Sequence, residues 1–390
     1  FIEYLVDEFI AVHLRKFVEL SKQLFRRKEK NMNRKAYVDF SKCIAIFFVL
    51  LNHIGLTIPW VSAFGGMFYV PVFFLLAGYT YKAKAETYSS FVGRKAKRLL
   101  MPYMVANLVY FVFFFVKDDV LGGTVGVQSL NPLWGILYSR YSLYSPFKIS
   151  EESNRYFLTI QNSPTWFLTA LFLTYLLFEV IVRIANYYGQ KQSEYLSLAI
   201  ACGACLLVGV ILHYGCPVLL AWSLDCIPFF VIYMLAGYYV ARENLLERIW
   251  EKKGLFPYLV LGFLIFSTIG GYRLGGFSNI SVGYFGNYTV LGLLNGIVSS
   301  LLLLFASYKF DRWLPEIACK VGRNTLPILC YHLFVFVFLI TGCNLLLPGR
   351  LDQSDALAYI LKLAIVLATI CVIMVAVKGT QFFKKIVQNR

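Results

Sequence analysis

Two groups of residues in this 390-residue sequence have the types and spacing to do chemistry. In the first, Lys42 and His53 lie in one apolar segment with ten residues between them. On a straight helix the two positions would be about 16 Å apart. Because eleven positions make close to three turns, both side chains would point to the same side, where one cavity could reach both. A neutral imidazole is well suited to remove a proton from a hydroxyl group.

Asp39 belongs to the same group. It precedes Lys42 by three residues, the spacing at which side chains on one helix can pair. The three candidate catalytic residues are therefore His53, Lys42 and Asp39. The plainer alternative is that Asp39 and Lys42 only anchor the helix at a membrane interface, while His53 is an interior histidine bonded to a backbone carbonyl.

The second group is the basic cluster, Arg94, Lys95, Lys97 and Arg98, which leads directly into an apolar segment. Four cations in five positions at the mouth of a helix suit a polyphosphate, with arginine making bidentate contacts. The alternative is a basic loop that only fixes membrane orientation, and for any single member this alternative is the better explanation. The ligand that would fit the cluster is a phosphate-bearing donor.

The elements that must position these groups are membrane helices. Apolar residues make up 59% of the sequence and charged residues 15%, and the mean hydropathy is +0.65, far from the balance of a soluble domain. We predict an all-α integral membrane protein, a bundle of about ten short, kinked transmembrane helices around a central cavity. The ten apolar runs lie near residues 40–58, 64–81, 99–116, 166–184, 196–214, 218–240, 255–272, 288–307, 326–345 and 356–377.

The placement of charge predicts the orientation. Lys and Arg are concentrated before the first run, between the second and third, after the sixth and eighth, and in the tail, and they are sparse in the alternate short loops. By the positive-inside rule both termini are cytoplasmic, in a plasma or inner cell membrane. The net charge of +16 is then mostly topogenic. Since the basic residues lie in separate loops, they do not indicate nucleic-acid binding.

The segments outside the bundle suggest two accessory elements. Residues 1–31 have helical amphipathicity and predict an N-terminal helix that lies in the lipid interface or packs on a partner helix, leaving residues 32–390 as the transmembrane domain. Residues 117–163 contain many aromatic residues beside Asn131, Arg140 and Asn154. This stretch is a candidate lid that would stack on sugar rings, although an interfacial aromatic belt explains it about as well. The nine cysteines and four histidines have no metal-binding spacing, so no metal is predicted.

Five stretches of the sequence, taken in order and spacing, resemble the acyltransferase-3 family of membrane acyltransferases. They are RKAYVDFSKCIAIFFVLLNHIG, GGMFYVPVFFLLAGYTYK, FVGRKAKRLLMPY, SPTWFLTALFL and VGRNTLPILCYHLF. The resemblance covers about residues 33–381 and is greatest to the short form typified by fucose 4-O-acetylase-like proteins, which has no appended SGNH hydrolase domain. Family members have Arg or Lys, ten residues and then His in the first span, which Lys42 and His53 match.

The resemblance also implies a reaction and a donor. It implies transfer of an acyl group, usually acetyl from acetyl-CoA, to a hydroxyl group of a carbohydrate or another envelope-associated acceptor, with acetyl and succinyl both left open. Lys95 and Arg98, with Arg94 as a further candidate, would hold the CoA phosphates. The family's basic pair, with two residues between its members, fits either Lys95 with Arg98 or Arg94 with Lys97. His53 would be the general base, and an acyl-histidine relay is the alternative.

Other residues are assigned by position in this scheme. Asn52 and Tyr103 are candidate donors to the oxyanion, Asn52 on the substrate side and Tyr103 on the cofactor side. Trp166 is a candidate substrate contact, although an interface anchor is the commoner role for such a tryptophan, and His332 is expected to be structural. Besides acyl-CoA and the acceptor, the expected contacts are membrane lipids, and formation of a homo-oligomer is left open.

Two other classes of function remain. A transporter or flippase for a lipid-linked sugar would also need a polar cavity, but the sequence shows no convincing internal repeat of the kind found in many transporters. A receptor or scaffold would use residues 117–163 and the amphipathic N-terminus without needing His53 or the basic cluster.

Overall fold

The computed structural model describes residues 35–56, 64, 66–140, 160–187, 191–216, 219–276 and 278–388. The predicted N-terminal helix and residues 141–159 of the predicted lid lie outside these ranges. Within them the chain is helical and has no β-strand. The α-helices are α1 Ala36–His53, α2 Pro71–Tyr79, α3 Tyr88–Phe114, α4 Asn131–Tyr138, α5 Trp166–Tyr187, α6 Lys191–Gly215, α7 Ile227–Arg242, α8 Leu245–Glu251, α9 Phe256–Gly275, α10 Thr289–Lys309, α11 Glu316–Arg323, α12 Thr325–Leu346 and α13 Ala356–Gln388.

Eight helices in the described ranges are long and apolar enough to cross a membrane: α1, α3, α5, α6, α9, α10, α12 and α13. They correspond to eight of the ten predicted runs. The prediction of an all-α membrane protein is therefore confirmed.

The second and sixth predicted runs form shorter helices, α2 with nine residues and α7 with sixteen. Proline lies in the first turn of each, where its fixed φ suits a helix start. The two helices pack backbone to backbone. A Cβ added to Gly78 would lie 1.8 Å from the carbonyl oxygen of Met234, and one added to Gly237 would lie 1.9 Å from that of Leu75. Such close approach is possible only where a residue has no side chain.

The α2–α7 pair lies in the interior of the protein. Eight of the nine residues of α2 are buried, and the rings of Phe74 and Phe230 stack with centroids 4.4 Å apart. A helix that is apolar on all sides is expected to be buried on all sides. The sequence pattern of these two runs therefore reflected burial in protein as much as exposure to lipid.

Helix α1 ends at His53, earlier than the predicted end at residue 58. Gly55 has a positive φ of 67°, its N–H donates to the carbonyl of Asn52 at 3.1 Å, and the N–H of Leu56 donates to the carbonyl of Leu51 at 3.0 Å. These bonds form a Schellman motif, a common glycine-dependent end of a helix. The imidazole is consequently carried by the last helical residue and not by the middle of a span.

Candidate active site

A cavity of about 820 Å³ lies between α1, α2, α3, α5 and α12. Its volume is in the range of ligand-binding pockets. On α1 the apolar lining residue Ile46 lies between Lys42 and His53, so the cavity extends along this helix. The part beside His53 is called the histidine end and the part beside Arg94, Lys95 and Arg98 the basic end; the apolar middle section is the set of apolar lining residues that includes Ile46, Phe73 and Leu171. Seven of the predicted site residues line it: Lys42, Asn52, His53, Arg94, Lys95, Arg98 and Trp166.

At the histidine end, His53 is partly exposed, and the neighbouring Asn52 is exposed. Lys42 also lines the cavity, but it lies about three helical turns before His53 on α1 and therefore outside the histidine end. Trp166, the first residue of α5, is 6% exposed and contacts the ring of Phe230 with centroids 6.1 Å apart. It is thus held inside the protein, which favours a cavity-lining role over that of an interface anchor.

At the basic end, α3 brings Arg94, Lys95 and Arg98 to the cavity, while Lys97 is exposed and is not part of the lining. This placement distinguishes the two candidate assignments of the family's basic pair, Lys95 with Arg98 and Arg94 with Lys97. Both members of the pair Lys95 and Arg98 line the cavity, whereas only Arg94 of the other pair does.

The three cavity-lining cations of α3 differ in their surroundings. Arg94 forms an ion pair with Glu86, in which its Nε donates to Oε2 at 3.3 Å and its terminal nitrogen donates to Oε1. The hydrogen bond from Arg94 holds the pKa of the Glu86 carboxyl below its usual value. The Lys95 ammonium lies 3.0 Å from the ring centroid of Tyr175, a cation–π contact. Arg98 is exposed and has no ion pair within the part of the chain that the structure describes.

The comparison with protein families gives one decisive match. The model of the acyltransferase-3 family, described as an acyltransferase domain, matches residues 35–377, from the start of α1 into α13. The chain belongs to the acyltransferase-3 family. It is therefore a multi-pass membrane acyltransferase, and the resemblance noted in its sequence is confirmed. A search of curated proteins finds none that matches this chain.

Two of the residues assigned to the active site of this acyltransferase lie outside the cavity lining. Asp39 is 2% exposed, and its carboxylate accepts a hydrogen bond from Nε of Arg323 at 2.9 Å. A Cβ added to Gly322 would lie 1.7 Å from the carbonyl oxygen of Asp39, so α11 packs tightly on α1 here. The position of Asp39 indicates that it fastens α1 to α11, because its carboxylate already has a cationic partner away from the cavity.

Tyr103 is the second predicted site residue that does not line the cavity. Its side chain is 2% exposed, and its hydroxyl donates to the carbonyl of Ile136 at 2.5 Å. The hydroxyl therefore joins α3 to α4 and is not presented to the cavity. Tyr103 comes five residues after Arg98, which places it about 140° around the helix from that cation.

The predicted lid residue Arg140 is also buried, with 0% exposure. Its terminal nitrogen donates to both carboxylate oxygens of Asp225, at 2.8 and 3.0 Å, and its other terminal nitrogen donates to Ser223 Oγ at 2.7 Å and to the carbonyl of Ser281 at 3.3 Å. Arg140 is therefore not available to bond a sugar at the surface. Instead, this buried ion pair fixes the segment that contains Ser281.

That segment supplies lining residues that sequence reasoning missed. Ser278, Asn279, Ile280 and Ser281 all line the cavity, and Ser278 Oγ donates to the carbonyl of Gly66, another lining residue, at 3.1 Å. They lie in a connection between two helices and carry no motif, so no sequence signal could have found them.

Lys82 and Lys84 were also missed, because their sequence position explained them as topogenic. They line the cavity together with the three cations of α3. Five cations therefore belong to the basic end.

His332 of α12 was assigned a structural role, and the structure places it beside His53. The two ring centroids are 5.1 Å apart and the rings are tilted by 50°. His332 is completely buried and is not part of the lining. Sequence alone could not pair the two, since they lie on helices that are remote in the chain.

Proposed function

We propose that this membrane acyltransferase is an O-acyltransferase, with acetyl-CoA as the favoured donor and a hydroxyl group of a cell-envelope carbohydrate or related compound as the acceptor. The observation that supports the proposal is that the five cations of the basic end and His53 line one cavity. A phosphate-rich thioester donor needs cations at one end and a reactive group at the other. Its linking arm is extended and would follow the apolar middle section.

In this proposal the donor enters from the cytoplasm, consistent with the basic loops that the positive-inside rule places there. Arg98 and Lys95 bind the phosphate groups, and Lys82 and Lys84 add positive charge around them. The acyl thioester extends past Lys42 towards His53. The acceptor approaches from the opposite side of the membrane, past the segment from Ser278 to Ser281.

The chemistry then follows from one general base. A nitrogen of His53 takes the proton from the acceptor hydroxyl as the oxygen attacks the thioester carbonyl carbon, and a tetrahedral oxyanion forms. Asn52, adjacent to the histidine, is the proposed donor to this oxyanion. When the carbon–sulfur bond breaks, the imidazolium returns the proton to the departing thiolate. The products are the acyl ester and the free thiol of CoA.

The proposal is tested with the purified protein in lipid nanodiscs. Release of free thiol from acetyl-CoA and from succinyl-CoA is measured with and without a panel of soluble sugars, and ester formation is followed by mass spectrometry. We expect acceptor-dependent thiol release and an acetylated sugar. Transport of a lipid-linked sugar without any thioester consumption would contradict the proposal and favour a flippase.

A further inference from the structure

The hydrogen bonds of His332 define which of its nitrogens carries the proton. Nδ1 lies 2.9 Å from the carbonyl oxygen of Ile328 and 3.1 Å from that of Leu329. Carbonyl oxygens only accept hydrogen bonds, so Nδ1 must be the N–H nitrogen. In the neutral ring Nε2 then has a lone pair and can only accept.

Nε2 of His332 is buried and has no hydrogen-bond partner among the described residues. A buried acceptor without a partner is unfavourable, because it has lost its hydration and gained nothing in return. The aromatic rings in contact with His332 are those of His53, at 5.1 Å between centroids, and Phe336, at 5.6 Å. Of these two neighbours, only His53 has an N–H that could be donated.

We propose that His332 is a positioning residue for His53: its Nε2 accepts the ring N–H of His53 when substrates fill the cavity. The inference rests on the proposed function, in which His53 is the general base. Accepting one N–H selects the tautomer of His53 whose other nitrogen has its lone pair free for the acceptor hydroxyl. After proton transfer His53 has two N–H groups, and the same lone pair continues to hold one of them.

No proton moves to His332 in this scheme. Its Nδ1–H stays on the carbonyls of α12, and the proton that His53 receives returns from His53 to the thiolate. In other histidine-containing sites a carboxylate accepts the ring N–H and fixes the tautomer of the histidine. Here the neutral imidazole of His332, held by two carbonyl groups, has that role for His53. In an apolar bundle this arrangement avoids the cost of burying a further charge.

The test compares two amides at position 332. In His332→Asn the short amide can replace Nδ1 as donor to the carbonyls of Ile328 and Leu329, but nothing remains at the position of Nε2. In His332→Gln the longer amide places an oxygen near the position of Nε2, while the donor at Nδ1 is lost. Both variants are assayed for acyl transfer in nanodiscs, with kcat and the donor KM determined separately and the melting temperature measured for each.

We expect His332→Asn to lower kcat about tenfold or more, within the roughly 10²- to 10⁴-fold that general base catalysis contributes, with little change in donor KM. His332→Gln should recover a substantial part of the lost kcat. A purely structural role predicts the reverse order, since Asn keeps the anchoring bond. Full activity in Asn, or equal losses in the two variants, would overturn the positioning role.

A second measurement records the wild-type protein and uses a variant only to assign resonances. With ¹⁵N-histidine labelling, the resonances of His332 are assigned by their loss in His332→Gln and recorded with and without a non-hydrolysable acetyl-CoA analogue. We expect an unprotonated Nε2 whose shift moves towards the hydrogen-bonded range when the analogue binds. A protonated Nε2, or an unchanged shift, would overturn the inference. Absence of acyl transfer in the wild-type protein would instead overturn the proposed function.

Discussion

His53 of α1 and Arg98 of α3 line the same cavity, although they belong to different helices. The cavity therefore links a group that can take a proton with a cation that can bind an anionic donor. In the proposed function Arg98 binds the phosphate groups of the donor and His53 acts at the reacting atoms. Variants at the two positions should therefore affect donor binding and the chemical step separately.

The first prediction concerns Arg98, the exposed cation of α3 in the cavity lining. Arg98→Ala should raise the donor KM about tenfold, because a charge-assisted hydrogen bond contributes about 1.5 kcal/mol or more, and it should leave the acceptor KM nearly unchanged. Steady-state kinetics with each substrate varied in turn measures both. Lys97→Ala is the matched control, since Lys97 is on the same helix but not in the lining. Equal effects on the two substrates in Arg98→Ala would contradict a donor-binding role.

The second prediction concerns the ion pair between Glu86 and Arg94. Arg94 is a further candidate for binding a donor phosphate, and the carboxylate of Glu86 occupies its guanidinium. Glu86→Gln should free this guanidinium for the donor and so lower the donor KM. Arg94 depresses the pKa of Glu86, so the carboxylate is ionised at neutral pH and the pair is lost only as the pH falls through that depressed pKa. The difference in donor KM between the wild-type protein and Glu86→Gln should therefore become smaller at acidic pH.

The control for this variant is Glu316→Gln. Glu316 of α11 also has a depressed pKa, caused by its hydrogen bond with Lys320, but it does not line the cavity. Its removal should leave the donor KM unchanged. A higher donor KM in Glu86→Gln would show that Glu86 orients Arg94 for the donor and does not compete with it.

The third prediction concerns the contact between α2 and α7. Gly237→Ala would place a methyl group 1.9 Å from the carbonyl oxygen of Leu75, so the helices must separate. Overpacking of this kind typically costs about 1–3 kcal/mol, and the melting temperature in detergent should fall. Gly262→Ala in α9 is the control, because a Cβ there meets nothing within 4 Å. Equal melting temperatures in the two variants would contradict the backbone-to-backbone packing.

The sequence predicted features that depend on residues close together in the chain better than those that depend on residues far apart in it. That Lys42 and His53 line one cavity was readable, because both lie on one helix whose period is fixed. The Schellman end of α1 was also readable in principle from Gly55, but the apolar run continued past it and was followed to residue 58. Hydropathy alone does not indicate where a helix ends when the residues after it are also apolar.

Contacts between helices were not readable. The carboxylate of Asp39 accepts a hydrogen bond from the guanidinium of Arg323, which lies far along the chain and could not be found from spacing on one helix. His332 likewise gained its neighbour His53 only through packing of α12 on α1. A short apolar run can be a membrane-spanning helix or a helix buried inside the protein, because both environments favour apolar residues. Helix α2 is an example of the second kind.

The fourth prediction concerns the buried ion pair of Arg140 with Asp225. Removal of one partner leaves an uncompensated buried charge, so Arg140→Met should lower the free energy of unfolding by about 3–5 kcal/mol, and Arg140→Met with Asp225→Leu should recover much of the loss. Thermal unfolding in detergent measures both. Arg350→Met is the control, since its partner Asp355 is largely exposed and such pairs contribute about 1 kcal/mol or less. A double variant no more stable than Arg140→Met would contradict the account.

The most direct test of the central claim is acyl transfer by His53→Gln, measured as acceptor-dependent release of thiol from acetyl-CoA beside the wild-type protein. The variant keeps a polar side chain of similar size but has no group that can take the proton. If His53 is the general base, kcat should fall by about 10²- to 10⁴-fold, while the donor KM and the melting temperature stay near their wild-type values. Unchanged kcat in the folded variant would contradict the claim and assign the chemistry to another residue of the cavity.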